Sequence, residues 1–279
     1  SLGAGTFQIT GNLTLSGGDF TANKSYQLDG SLTNNGGMYT SGAGTTTSFT
    51  GSAASISGSS ACPFATLQIG KSTSEAADVV VTLGKTTSAT NLVFTSTNKS
   101  HTFKLNSSSV ALTVTGNVTL NQPTLDNKSN TMNVQAGTLN INGNLTFSGS
   151  SNSDTRVCQI TTGSGTFNID GTLTWMSNSK VKTEVISVNT GTVNFGSSIT
   201  MGSGSGTIKA ITSGDINFNG TSAPSLSFGG STAPTLTFPY GSTATFAKGL
   251  TATTTALTFS AGSNQIFKGT GTITPTAAI

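Results

Sequence analysis

Apolar and polar side chains alternate in short runs along this chain. In Gly137–Phe147 the apolar ones fall at Leu139, Ile141, Leu145 and Phe147, the period of two that marks a half-buried β-strand. Gly143 interrupts the run where a bend belongs. The pattern predicts two short strands meeting at Gly143, with Asn144 just past the corner. The same word recurs at Gly5–Leu15, Tyr26–Leu32, Leu112–Leu120, Gly165–Trp175, Gly191–Met201 (with Ser197 in the glycine's place) and Asp215–Gly220.

The later copies begin near 110, 137, 165, 191 and 214, in steps of 27, 28, 26 and 23 residues. Self-similarity at that period indicates a solenoid, propeller or array, and a propeller blade needs about 40 residues or more. Each step here holds two or three short strands joined by Gly, Ser and Asn turns. The expected fold is therefore all-β, a β-solenoid (β-helix) of roughly 10–12 coils, with essentially no helix. A single domain is expected over 1–279, with irregular coils at 34–62, where the apolar signal thins, and at 224–240, where Pro224, Pro234 and Pro239 break the word. Ser74–Val81 is long enough only for one helical turn before a strand. Inward positions should stack on their equivalents one coil away, about 4.8 Å distant. Thr suits the outward positions. Gly is expected at corners for positive φ, and Asn for its tolerance of left-handed turns.

Composition adds one constraint. Charged residues make up only 8%, against about 25% in an ordinary domain, and Ser, Thr and Asn take their place. The net charge of +3 is scattered, with Lys180 and Lys182 the one close pair. That excludes the concentrated basic face that nucleic-acid binding requires. No apolar run approaches the roughly 18 residues of a membrane-spanning helix. The chain starts at Ser1 without a basic-then-apolar leader, as a mature secreted protein or a trimmed chain would; an extracellular or cell-surface location is expected.

Runs such as Pro63–Ile69 and the Gly-Asn-Leu-Thr words resemble the strand repeats of large bacterial surface and secreted proteins, including filamentous-haemagglutinin-like adhesins. The resemblance is one of repeat style and covers most of the chain. It implies an extracellular β-helix and assigns no functional residue.

Candidate chemistry is sparse. Asp154, Arg156 and Asp170 are the nearest approach to a clustered set, and 16 residues separate the two acids, so solvated surface charge is the favoured account. Gly17-Gly18-Asp19 is a fragment of a calcium-binding repeat and reads as a turn. His101, the one histidine, is expected at the surface beside Lys99. No catalytic, cofactor-binding or metal-binding residue is assigned, and no cofactor is implied. Cys62 and Cys158 are the two cysteines. An even pair in a secreted chain suggests a disulfide, yet several coils along a rod separate them, so an intramolecular bridge, an intermolecular bridge and free thiols all stay open. Sequons at Asn12, Asn23, Asn98, Asn106, Asn117, Asn127, Asn144 and Asn219 permit glycosylation, but 23 Asn in a Ser/Thr-rich chain give that many by chance. Trp175 and the 15 Phe fall mostly on the inward register, which favours core stacking over a carbohydrate platform. Thr-x-Thr pairs at Thr113, Thr172 and Thr235 are interrupted by Asn and Gln, so an ice-binding array is a remote option.

Both ends read as strands without caps, and open strand edges template association. The expected function is a secreted structural protein, the self-assembling subunit of an extracellular filament, sheath or adhesin stalk, not an enzyme. Its expected partners are copies of itself, joined head-to-tail through end coils or a donated terminal strand, with surface glycans as further partners. The alternatives are a polysaccharide-binding or polysaccharide-cleaving β-helix enzyme and a phage tail fibre.

Overall fold

The computed structural model of the chain describes residues 7–149, 155–175 and 184–196, together with the backbones of further short strands from 199 onward. The alternating words become strands that stack in parallel, each on its equivalent in the preceding coil. On the first face one column runs Tyr26, Thr47, Leu67, Leu92, Val118, Leu145 and Leu173. The second face carries Leu13, Leu32, Ile56, Leu83 and Leu105 in one column. It continues with Phe103, Met132, Ile160 and Ile186 in the next. The result is an all-β solenoid of about six turns, with no helix among the described residues. Fewer turns are described than the 10–12 expected of the whole chain because much of the last third lies outside the described residues; its strands extend the same columns, as Leu173 on Ile199 and Ile199 on Leu226 show.

Side-chain alternation explains the core. Leu139, Ile141, Leu145 and Phe147 are buried, while Thr138, Asn140, Thr146 and Ser148 between them are half-exposed. Each buried Leu, Ile or Phe contributes about 1.5–3 kcal/mol, and stacking like on like keeps the interior free of steps. Phe94, Phe103, Phe147, Phe167 and Phe195 are fully buried.

The predicted corner at Gly143 is present: strands Thr138–Ile141 and Leu145–Ser148 flank it. It originates one coil earlier. The strand Thr87–Phe94 pairs with both Ala111–Val114 and Val118–Asn121. There Thr90 and Asn91 face Thr115, Gly116 and Asn117, so one extra residue breaks a continuous strand into two. The glycine serves a different purpose from the positive φ expected. A Cβ on Gly143 would collide with the Gly116 carbonyl, and one on Gly171 with the Gly143 carbonyl. Close backbone stacking, coil on coil, is what excludes a side chain.

Asparagine at this corner also differs from expectation. Among the described residues only Asn127 and Gln135 are non-glycine positions with positive φ. The corner asparagines instead bridge coils. The Asn91 Oδ1 accepts the Asn117 N–H at 3.0 Å, Asn117 Oδ1 that of Asn144 at 2.9 Å, and Asn144 Oδ1 that of Thr172 at 2.8 Å.

The stretch 34–62 is more regular than its thin apolar signal predicts. It holds strands Met38–Ser41, Thr46–Phe49 and Ala54–Gly58. Met38–Ser41 stacks on Asp19–Ala22 to make a third face of two strands. Behind it lies an aromatic cluster in which Tyr39 stacks on Phe20 and tilts against Phe64, with ring centroids 5.7 and 5.2 Å away. The Tyr39 hydroxyl is 2.9 Å from both the Tyr26 hydroxyl and Thr47 Oγ1, so the polar tips are satisfied inside. Ser74–Val81 holds no helical turn; a loop precedes the strand Val79–Leu83. Of 224–240, only the backbones of Ser225–Phe228 and Thr235–Thr237 are described.

Replacing Gly143 by Ala places a methyl against a backbone carbonyl that cannot move aside. It should cost about 1–3 kcal/mol, seen as a lower urea midpoint. Gly11, whose added Cβ meets nothing within 4 Å, should tolerate Ala within about 0.5 kcal/mol. Equal effects at the two sites would refute the account of the corner.

Candidate functional site

Among the described residues, an ion pair of a carboxylate and an imidazole is buried where a loop folds inward. The strand Phe64–Ile69 ends at Gly70, whose φ of +88° turns the chain back. A Cβ there would collide with Thr95 Oγ1 and lie 2.6 Å from His101 Nε2. The loop that follows delivers Glu75 beneath the surface. Glu75 Oε1 accepts the Lys71 N–H at 2.9 Å, and Oε2 accepts the Thr97 hydroxyl at 2.7 Å and lies 2.5 Å from His101 Nε2. The side chains of His101 and Glu75 are 0% and 3% exposed.

Electrostatics favour a charged Glu75. Burial pushes its carboxyl pKa up, but the hydrogen bond and charge of His101, with Thr97 and the Lys71 amide, outweigh burial and hold it below the ordinary glutamate value. His101 stacks in register on Val79 and beneath Asn130, which stacks beneath Cys158, so polar groups occupy one inward column across several coils. Asn130 Nδ2 donates to the carbonyls of Thr95 and Asn121 at 2.8 and 2.5 Å. His101 Nδ1 and Asn130 Oδ1, on adjacent rungs, are buried without a hydrogen-bond partner.

A small hydroxyl-lined hollow of about 180 Å³, bordered by Ser72, Thr73, Ser96 and Thr97, lies beside the cluster. The acid and the imidazole are sealed from solvent in this arrangement. Their chemistry is that of a staple: Glu75 ties its own loop to the Thr97–His101 segment of the next coil, and its N–H donates to Asn98 Oδ1 at 3.2 Å.

His101 is therefore buried, contrary to the surface position expected beside Lys99. Alternation could have found it, because His101, Phe103 and Leu105 share one face of their strand. The other anticipated residues lie apart. Arg156 pairs with Asp126 at 2.8 Å, Asp170 is exposed at a corner, and Asp154 falls outside the described residues. Asp19 begins the third face. Cys62 and Cys158 are both buried and not joined to one another. Burial pushes the Cys62 thiol up to about 11, against a smaller opposing effect of Asn34. Asn12, Asn23, Asn106, Asn117, Asn127 and Asn144 are exposed, Asn98 is half-buried, and Asn219 lies outside the described residues, as does the Trp175 side chain. No group of three or more His, Cys, Asp or Glu suited to a metal occurs among the described residues. No described helix is long and apolar enough to cross a membrane.

The outward faces carry the repeating chemistry. Thr113, Asn140, Asn168 and Asn194 stack in one column. Asn168 Nδ2 donates to Asn140 Oδ1 at 2.7 Å, and Asn194 Nδ2 to Asn168 Oδ1 at 2.6 Å. Similar contacts join Gln159 to Thr131 and Gln68 to Ser48. No family model, no curated protein and no solved structure matches this chain.

Two outcomes test this description. Glu75→Gln removes the buried carboxylate and should cost about 1–3 kcal/mol at neutral pH. A carboxyl depressed in the folded state stabilises above its unfolded pKa of about 4.5 and loses that contribution as pH falls further. The gap between wild type and Glu75→Gln in urea midpoint should thus shrink below that pH, and a gap independent of pH would contradict the assignment. A thiol-labelling time course under non-reducing conditions should show both cysteines slow in the native protein and prompt in denaturant; fast native labelling, or a mass lower by two hydrogens, would contradict buried thiols.

Proposed function

We propose that the chain is a structural protein of the cell exterior, the self-assembling subunit of a filament, sheath or adhesin stalk. The observation that carries this is the outward Asn140–Asn168–Asn194 column, a row of amides joined to one another along the solenoid. Such a face presents hydrogen-bonding groups at the coil spacing of about 4.8 Å, with little charge to repel a like surface. The matching lattice nearest to hand is a second copy of the same face or coil edge. Contacts of this kind that do not close on themselves generate open fibres. The β-solenoid itself is consistent with a structural or adhesin-like role, and secretion fits the hydroxyl-rich, weakly charged surface.

Light scattering and negative-stain microscopy of the purified chain test the proposal. The expected result is concentration-dependent growth into filaments of uniform width. A chain that stays monomeric at its solubility limit would overturn it.

A further inference from the structure

The third face ends abruptly, and the ladder shows what is missing. Asn34 stacks on Gly58 and Thr46 on Thr66. Between Asn34 and Thr46 the chain has 11 residues (35–45), enough for the strand Met38–Ser41; between Gly58 and Thr66 it has 7 (59–65) and takes a shorter path. Met38–Ser41 is left as the last strand of a two-stranded sheet. The Met38 N–H donates to the Gly18 carbonyl and the Gly42 N–H to the Ala22 carbonyl, both at 2.9 Å. In a parallel ladder, alternate residues direct both backbone groups to the same neighbour. Met38, Thr40 and Gly42 therefore face back to Asp19–Ala22, and the N–H and C=O of Tyr39 and Ser41 face the open side.

On that open side lies a groove of about 350 Å³. Tyr39, Thr40 and Ser41 border it, with Phe64, Ala89 and Thr115 from later coils. None of its lining residues carries a charge.

We propose that this groove accepts a strand from a second copy of the chain, which hydrogen-bonds to the Tyr39 and Ser41 backbone as the third strand of the third face. This rests on the self-assembly proposed above and names its acceptor site. The ladder dictates the form of the occupant. It must be extended. Its inward side chains must be small, because the Tyr39 ring already leans on Phe64 at 5.2 Å. Its outward ones must suit Thr40, which stacks on Thr21. A neutral groove calls for an uncharged strand, and a chain with 8% charged residues, built of Ser, Thr, Ala and Gly between its apolar positions, supplies such strands throughout.

Amide hydrogen exchange on the full chain, dispersed and assembled, is the test. Assembly should slow exchange at Tyr39 and Ser41 by about tenfold or more. Thr40, bonded inward, should be protected in both states. Ser41→Pro removes one open-edge donor and leaves the inward ladder intact; it should abolish assembly while lowering the urea midpoint no more than Ser41→Ala, which loses only the Ser41 Oγ–Thr45 Oγ1 contact of 2.9 Å and should still assemble. Thr40→Pro, which breaks the inward ladder, should lower that midpoint. If Ser41→Pro does not fold, the exchange data on the unaltered chain still decide. Assembly without slowing at Tyr39 and Ser41 overturns the groove as acceptor and leaves the filament standing. Absence of any assembly overturns both.

Discussion

Everything in this molecule follows from parallel stacking in register. On the two long faces, strands satisfy their backbone N–H and C=O groups with the strands of the coils on either side, because a buried backbone group without a partner costs too much to keep. Once coils are held about 4.8 Å apart, each side chain inherits a neighbour of the same position one coil away. Leu stacks on Leu at 145 and 173, and Asn on Asn at 140 and 168. The corner glycines 116, 143 and 171 obey the same rule, since each leaves room for a backbone carbonyl of the coil before it, that of Thr90, Gly116 and Gly143 in turn.

Departures from that regularity mark the places with distinct chemistry. Where the Gly70 loop leaves the coil, the interior accepts a carboxylate and an imidazole, and Glu75, Thr97 and His101 satisfy one another across the gap. Where the third face stops, tyrosine hydroxyls pair inside an aromatic cluster and the strand Met38–Ser41 keeps an open edge. Both sites lie in the first half of the described chain. Later coils repeat with few interruptions, and their outward face carries the bonded amide column Asn140–Asn168–Asn194.

The sequence made the strands and their inward positions legible, because a period of two in Leu139–Phe147 has one structural meaning. The corner at Gly143 was legible too, though its cause was not: contact between adjacent coils is a property of the stack and leaves no local signal. His101 was missed for a related reason. Its neighbour Lys99 suggested the surface, while its place in the His101–Phe103–Leu105 alternation pointed inward. Glu75 could not have been found, since it sits in a polar loop 26 residues from its partner. The third face was hidden because each of its two strands carries a single inward aromatic, Phe20 in one and Tyr39 in the other, the second flanked by Thr40 and an exposed Met38.

The central claim is the in-register stack, and distances along one column test it most directly. Gln27, Ser48, Gln68, Val93, Thr119, Thr146 and Thr174 share a column. In a background with Cys62 and Cys158 replaced, spin labels can be placed in pairs on Gln27 and Thr174, and on Gln68 and Thr174. Pulsed dipolar spectroscopy should give separations of about 29 Å and about 19 Å, or about 4.8 Å per rung before the label's own reach. A difference between the two pairs far from about 10 Å, or no dependence on rung number, would contradict the solenoid.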